Sequence, residues 1–154
     1  ISGAMFSCVG VLYDRMHTRM IRDYGGVANV MPWFAMFWVL FAMANSGLPG
    51  TSGFVGEFMV ILAAFQHNPP VGFAAAATLI IGAGYTLWLT KRVIWGEVGN
   101  AHVAELEDIN GREWLVLGVF AAGVLVLGVW PKPLIDLMEP SIAQLAAQLA
   151  ATKL

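Results

Sequence analysis

Apolar positions fill this chain in long blocks rather than in one-sided stripes, and short polar clusters cut the blocks apart. A block that is hydrophobic on every side predicts a helix surrounded by protein interior or lipid, and a length near twenty residues predicts a bilayer crossing. The first block, residues 1–13, is apolar but too short to cross, and predicts part of a transmembrane helix. It lacks the basic start and small-residue cleavage site of a signal peptide. Asp14 to Asp23 then forms a polar loop with Arg15, His17, Arg19 and Arg22. A second block spans 32–67, opened by Pro32 and Trp33, and Gln66-His67-Asn68-Pro69-Pro70 predicts a turn. The third block, 71–92, is rich in small residues (Gly72, Ala74 to Ala77, Gly82, Ala83, Gly84) that allow close helix packing, and ends in Lys91-Arg92. A polar loop follows over 96–112, then an apolar block at 113–131. The segment 134–151 has apolar residues at helical spacing around Pro140, and predicts an amphipathic surface helix interrupted at that proline.

The second block cannot be one straight helix. From Pro32 to His67 it would extend about 54 Å at roughly 1.5 Å per residue, against a hydrocarbon core of about 30 Å. Gly47, Gly50, Gly53 and Gly56, together with Pro49, remove helical hydrogen bonding near its middle. The prediction is two half-helices joined by a non-helical link, with Thr51 and Ser52 capping the second. Such a link is tolerated at membrane depth only where it is buried in protein or lines a polar cavity.

Just beyond the link stands Glu57, the only Asp, Glu, Lys or Arg between Asp23 and Lys91. A charge inside an apolar span costs roughly 2.5–3.5 kcal/mol even on lenient insertion scales, so its presence points to function. Broken helices bring polar groups to the midplane of ion-coupled transporters, which makes ion or proton translocation the leading reading. The competing one is a kinked helix with Glu57 paired and purely structural. Lys91 is a second candidate for proton relay, although its position beside Arg92 and Trp95 favours snorkelling to the interface.

Composition agrees with the block pattern. The 154 residues are 58% hydrophobic and only 12% charged, with mean hydropathy +0.72, whereas soluble domains carry about a quarter charged residues. Net charge −2 without a basic run gives no footprint for nucleic acid. Three histidines and a lone cysteine, Cys8, show no metal-ligand spacing. Arg15, Arg19, Arg22, Lys91, Arg92 and Arg112 fall on one side of the predicted crossings, and Lys132 and Lys153 on the other, which assigns the first side to the cytoplasm or matrix.

The run Leu48-Pro49-Gly50-Thr51-Ser52-Gly53-Phe54-Val55-Gly56-Glu57-Phe58 resembles the discontinuous twelfth helix of the antiporter-like, proton-pumping subunits of respiratory complex I. Cys8-Val9-Gly10-Val11-Leu12-Tyr13-Asp14-Arg15-Met16-His17-Thr18-Arg19 is similar to the end of the preceding helix in the subunit called M in bacteria and 4 in mitochondria. Sister subunits L and N and related cation/proton antiporters typically carry lysine where this chain has Glu57, so the glutamate favours the M type. The resemblance implies an all-α fold of polytopic transmembrane helices with one discontinuous helix, here the C-terminal part of a fourteen-helix module. It implies a proton-translocating subunit of NADH:quinone oxidoreductase, a translocase with no redox site in this chain. Glu57 would transfer protons, supported by Pro49, Gly50, Thr51, Ser52 and Gly53. No cofactor is expected here, and NADH, FMN, iron–sulfur clusters and quinone would be held by partner subunits. Expected partners are the other complex I membrane subunits, L and N above all, with the lipid bilayer and protons. The location would be the bacterial inner membrane, or the mitochondrial inner membrane in an organelle. Two other readings stand beside this one: a cation/proton antiporter subunit, and a non-conducting membrane scaffold.

Overall fold

The computed structural model describes residues 1–152, so Lys153 lies outside the described residues. Among the described residues seven helices follow in order: α1 (Ser2–Met16), α2 (Pro32–Asn45), α3 (Ser52–His67), α4 (Pro69–Val93), α5 (Ala101–Ala104), α6 (Gly111–Val129) and α7 (Lys132–Thr152). Two single 3-10 turns, Ile21–Asp23 and Val27–Asn29, connect α1 to α2. The all-α fold with a discontinuous helix is therefore as expected. By length and apolar composition α4 and α6 can each cross a membrane.

Several boundaries differ from the sequence reading. α1 continues through Asp14 and Arg15 to Met16 and ends on His17 in the left-handed region at φ 52°. The turn predicted over 66–70 shrinks to Asn68, since α3 runs to His67 and Pro69 starts α4, where a missing N–H costs nothing. This tight hairpin needs Gly72: a Cβ there would stand 2.5 Å from the Phe65 Cα. α7 runs unbroken through Pro140.

The central helix is α2. Its Phe34, Phe37, Trp38 and Phe41 are buried together with Ala4, Cys8 and Leu12 of α1, Leu117 and Val124 of α6, and Val93 and Ile94 at the end of α4. The core thus sits toward the arginine-rich end. At that end Gly26, at φ 66°, lies so close to the Glu97 backbone that a Cβ would come within 2.8 Å of the Glu97 carbonyl oxygen. The adjacent amides bond across, Gly26 N–H to Trp95 O at 3.2 Å and Ala28 N–H to Ile94 O at 3.0 Å. α3 and the outer half of α4 present Phe58, Met59, Val60, Phe73, Ile80 and Ile81 as exposed apolar surface. No residue of α7 over 132–151 is buried.

Polar residues lock the arginine-rich end. Arg15 grips Glu113 with two parallel bonds of 2.8 Å, Nη1 to Oε1 and Nη2 to Oε2, and donates through Nε to the Glu107 carbonyl at 3.0 Å. Glu113 also closes a capping box with Asn110 at the start of α6. Asp108 accepts from the Trp33 and Phe34 amides at 2.9 and 3.1 Å, and so caps α2 from a distant loop. The 96–112 segment, a polar loop by its sequence, therefore works as a fastening between α1, α2 and α6.

Arg15→Ala leaves the Glu113 carboxylate, whose side chain is only 14% exposed, without its fork. The expected cost is about 2–4 kcal/mol, seen as a lower melting temperature of the full-length protein in detergent. Arg15→Lys recovers only part of it, since an ammonium cannot form the double bond. An unchanged melting temperature in Arg15→Ala would show that the pair contributes nothing.

Candidate functional site

The site forms where α2 stops. Asn45 is the last residue of α2, and Gly47 follows in the left-handed region at φ 79°. The Leu48 N–H reaches back to Met43 O at 3.1 Å and the Gly47 N–H to Ala44 O at 3.2 Å, the paired closure of a helix ended by glycine. Ser46 covers the Ala42 carbonyl with both its N–H at 3.1 Å and its hydroxyl at 2.9 Å. The break thus pairs the Ala42, Met43 and Ala44 carbonyls instead of leaving them exposed to an apolar medium.

Thr51 is buried, and its hydroxyl donates to Leu48 O at 2.7 Å. It stands at the N-cap position of α3 but accepts no bond from the helix, and Ser52 is the first helical residue. The expectation that these two side chains cap α3 is corrected: neither accepts a bond from the helix, and the Thr51 hydroxyl donates back across the turn to Leu48 O. Pro49 is exposed, and Gly50 takes φ 90° with open space around its missing Cβ. Gly53, in the first turn of α3, lies beside the last turn of α2, where a Cβ would stand 2.7 Å from Ala44 O. The two half-helices therefore overlap sideways, which shortens the pair. From α6, Gly128 packs on the backbone of Gly50 and Thr51 with no room for a side chain.

Glu57 lies in the second turn of α3. Its Oε2 is buried and has no hydrogen-bond partner among the described residues. The carboxyl borders a cavity of about 410 Å3 between α3 and α4, lined also by Val60, Ile61, Thr78, Gly82 and Tyr85. Small residues make this cavity: a Cβ on Gly56 or Gly82 would meet nothing within 4 Å. The buried oxygen faces the helix break while the carboxyl as a whole borders the cavity, the one ionisable group in an otherwise apolar span.

Toward the arginine-rich end the contact of α2 with α4 is polar and paired. Asn45 Nδ2 donates to Thr86 Oγ1 at 3.1 Å, Trp38 Nε1 to Thr90 Oγ1 at 3.2 Å, and the Thr90 hydroxyl to Thr86 O at 2.9 Å. Thr86 and Thr90 are buried, whereas Thr78 and Tyr85 face the cavity. Of the hydroxyls in this span, Thr86 is helix-to-helix glue and Thr78 and Tyr85 are cavity groups.

Lys91 is exposed in the last turn of α4, where its neighbour Arg92 lies 4.9 Å over the Trp88 ring. It does not line the Glu57 cavity. Twelve residues separate it from Leu79, which borders Glu57, or about 18 Å along a helix. Sequence reasoning passed over Arg15, Asp108 and Asn45. The Asn110-x-x-Glu113 spacing was a readable cap signal for α6, but no sequence signal pairs Arg15 with Glu113 across the fold.

No group of three His, Cys, Asp or Glu side chains able to hold a metal ion occurs among the described residues. The arrangement is that of a helical bundle with membrane-crossing segments, built around a broken helix that carries one ionisable group. Residues 1–82 match the family described as NADH:quinone oxidoreductase/Mrp antiporter, TM, and the chain belongs to that family. It is 49% identical over 145 residues to NADH-quinone oxidoreductase subunit M of Rhodobacter capsulatus, covering 94% of this chain and 28% of that protein. It is 45% identical over 145 residues to NADH-ubiquinone oxidoreductase chain 4 of Arabidopsis thaliana, covering 94% and 29%. Among solved structures it resembles a chain of respiratory complex I from Thermus thermophilus with bound NADH, at TM-score 0.76 and 33% identity, covering 86% of this chain and 28% of that one. The chain thus spans less than a third of the length of these relatives.

The close seat of Gly128 on the break gives a direct check. Gly128→Ala forces α6 away from Gly50 and Thr51 and is expected to lower the melting temperature of the full-length protein. Gly123→Ala, with open space at its Cβ, is expected to raise it slightly through better helix propensity. Equal shifts would mean the close approach carries no weight.

Proposed function

We propose that this chain is the C-terminal part of a proton-translocating membrane subunit of NADH:quinone oxidoreductase, in which Glu57 carries the proton. The observation behind the reading is the Glu57 carboxyl itself: alone in charge within its span, one oxygen buried and unpaired, at the wall of a cavity beside a helix break. A proton arriving from the arginine-rich side or along the midplane would be taken up by Glu57 and passed outward through water held near Thr78 and Tyr85. Pro49, Gly50, Thr51, Ser52 and Gly53 serve by forming the link that brings Glu57 beside the turn. Lys91 is proposed to anchor the inner end of α4 at the interface.

Quinone reduction itself belongs, in this reading, to other subunits, which would hold the NADH, FMN, iron–sulfur clusters and quinone. The partners proposed are the remaining membrane subunits, L and N in particular, in a bacterial inner membrane or the mitochondrial inner membrane. The names of the bacterial and plant relatives support this reading, as does the glutamate at position 57. The family also includes Mrp antiporters, so cation/proton exchange is the second reading.

The test is NADH-driven proton pumping and quinone reduction in membranes carrying Glu57→Gln in the full-length subunit, with assembly checked on a native gel. Loss of both activities in an assembled complex is expected. Normal rates with cation/proton exchange in the same membranes also intact would leave Glu57 a structural residue and favour the scaffold reading, while normal rates with that exchange lost would favour the antiporter. In the same assay Lys91→Gln is expected to pump at close to the normal rate, and a pumping defect there would make it a relay.

A further inference from the structure

Gly47 meets two separate demands. As the residue that ends α2 it must adopt a left-handed conformation, φ 79°, which glycine does without cost. It also faces Glu57: a Cβ at this position would stand 2.8 Å from Glu57 Oε2 and 3.6 Å from Leu79 Cδ2. The carboxyl oxygen occupies the space that any side chain at 47 would fill. Gly50, three residues on, shares the left-handed conformation at φ 90° but has nothing within 4 Å of its missing Cβ. The two glycines therefore separate backbone conformation from space.

We propose that Gly47 is a positioning residue for Glu57, its bare backbone forming the seat that fixes one carboxyl oxygen against the helix break while the carboxyl borders the cavity. The proposal rests on the reading of Glu57 as the proton-carrying group. A side chain at 47 evicts Oε2 from the seat and turns the carboxyl into the space between α3 and α4. Oε2 is buried and has no hydrogen-bond partner among the described residues, so no bond opposes the eviction and packing alone sets the carboxyl's position. A helix break in this bundle would then be more than a hinge, since its closing glycine also aims the proton carrier.

The experiment compares Gly47→Ala, Gly50→Ala, Glu57→Asp and the double variant Gly47→Ala/Glu57→Asp in the full-length subunit within the assembled complex. The readouts are protons pumped per NADH and the coupled rate of quinone reduction. Left-handed strain is common to both alanine variants and cancels between them. Gly47→Ala is expected to pump roughly 10–100-fold more slowly than Gly50→Ala, the loss usual for a reacting group displaced by about 1 Å. Aspartate, shorter by one methylene, withdraws from the space the new Cβ takes, so the Gly47→Ala change is expected to cost no more than Gly50→Ala does once Glu57 is aspartate, and the double variant is expected to pump within a few-fold of Glu57→Asp alone. Equal losses in the two alanine variants, or a double variant pumping roughly 10-fold or more below Glu57→Asp alone, would overturn the proposal. If Gly47→Ala does not assemble, recovery of assembled complex by Glu57→Asp upholds it, and failure to recover overturns it. An inactive Glu57→Gln with equal alanine variants would sink the seat alone, whereas a fully active Glu57→Gln would sink the proton-carrier reading and the seat with it.

Discussion

Breaking a helix in apolar surroundings frees backbone groups that have no water to turn to, and the structure depends on how those groups are paired. Here the pairing is local. The amides of Ser46, Gly47 and Leu48 fold back on the carbonyls of Ala42, Met43 and Ala44, and Thr51 ties the other side of the turn through Leu48 O. Because the carbonyls of Ala42, Met43 and Ala44 are paired within the turn itself, that side of the break asks little of its neighbours except room. Gly53 and Gly128 supply that room by letting the backbones of α2 and α6 come close. Thr51 of the turn is buried while Leu48 and Pro49 stay exposed, and α3 starts beside α2 instead of beyond it.

The position of the break is set from the far end of α2. Asp108 holds the first amides of α2, and the segment bearing Asp108 is held in turn by Arg15, which bonds the Glu107 carbonyl and the Glu113 carboxylate. The aromatic side chains of α2 fill the space between α1, α4 and α6. A rigid rod fixed at one end and packed on three sides delivers its other end to a defined place. That is how a loop in the polar region can set where Glu57 lies, with no contact between them.

Along α4 the chemistry changes at the level of the break. On the inner side Thr86 and Thr90 are engaged by Asn45 and Trp38, giving a dry, paired seam. On the outer side the glycine and alanine positions leave a cavity, and the hydroxyls of Thr78 and Tyr85 border it with Glu57. The contact of α2 with α4 is thus paired on the inner side of the break, and the space between α3 and α4 is open on the outer side, where Glu57 lies.

What the sequence determined by itself was the class of structure. Block hydrophobicity, the cluster of glycines with Pro49, and the isolation of Glu57 specify an all-helical membrane bundle with a break and an ionisable group near it, because each feature is a property of consecutive residues. The resemblance of 48–58 to a known broken helix added the family. The tertiary structure decided the rest. The role of Asp108 as a cap for α2, the fork of Arg15 on Glu113, the glue of Asn45 and Thr86, and the seat that Gly47 makes for Glu57 all join residues far apart in the chain or on opposite sides of a turn. Thr51 shows the same limit at short range, since its hydroxyl stands at the cap position of α3 yet accepts no bond from that helix and donates instead to the Leu48 carbonyl. Local pattern fixes where backbone hydrogen bonding must stop, but which side chain meets a freed group depends on packing in three dimensions.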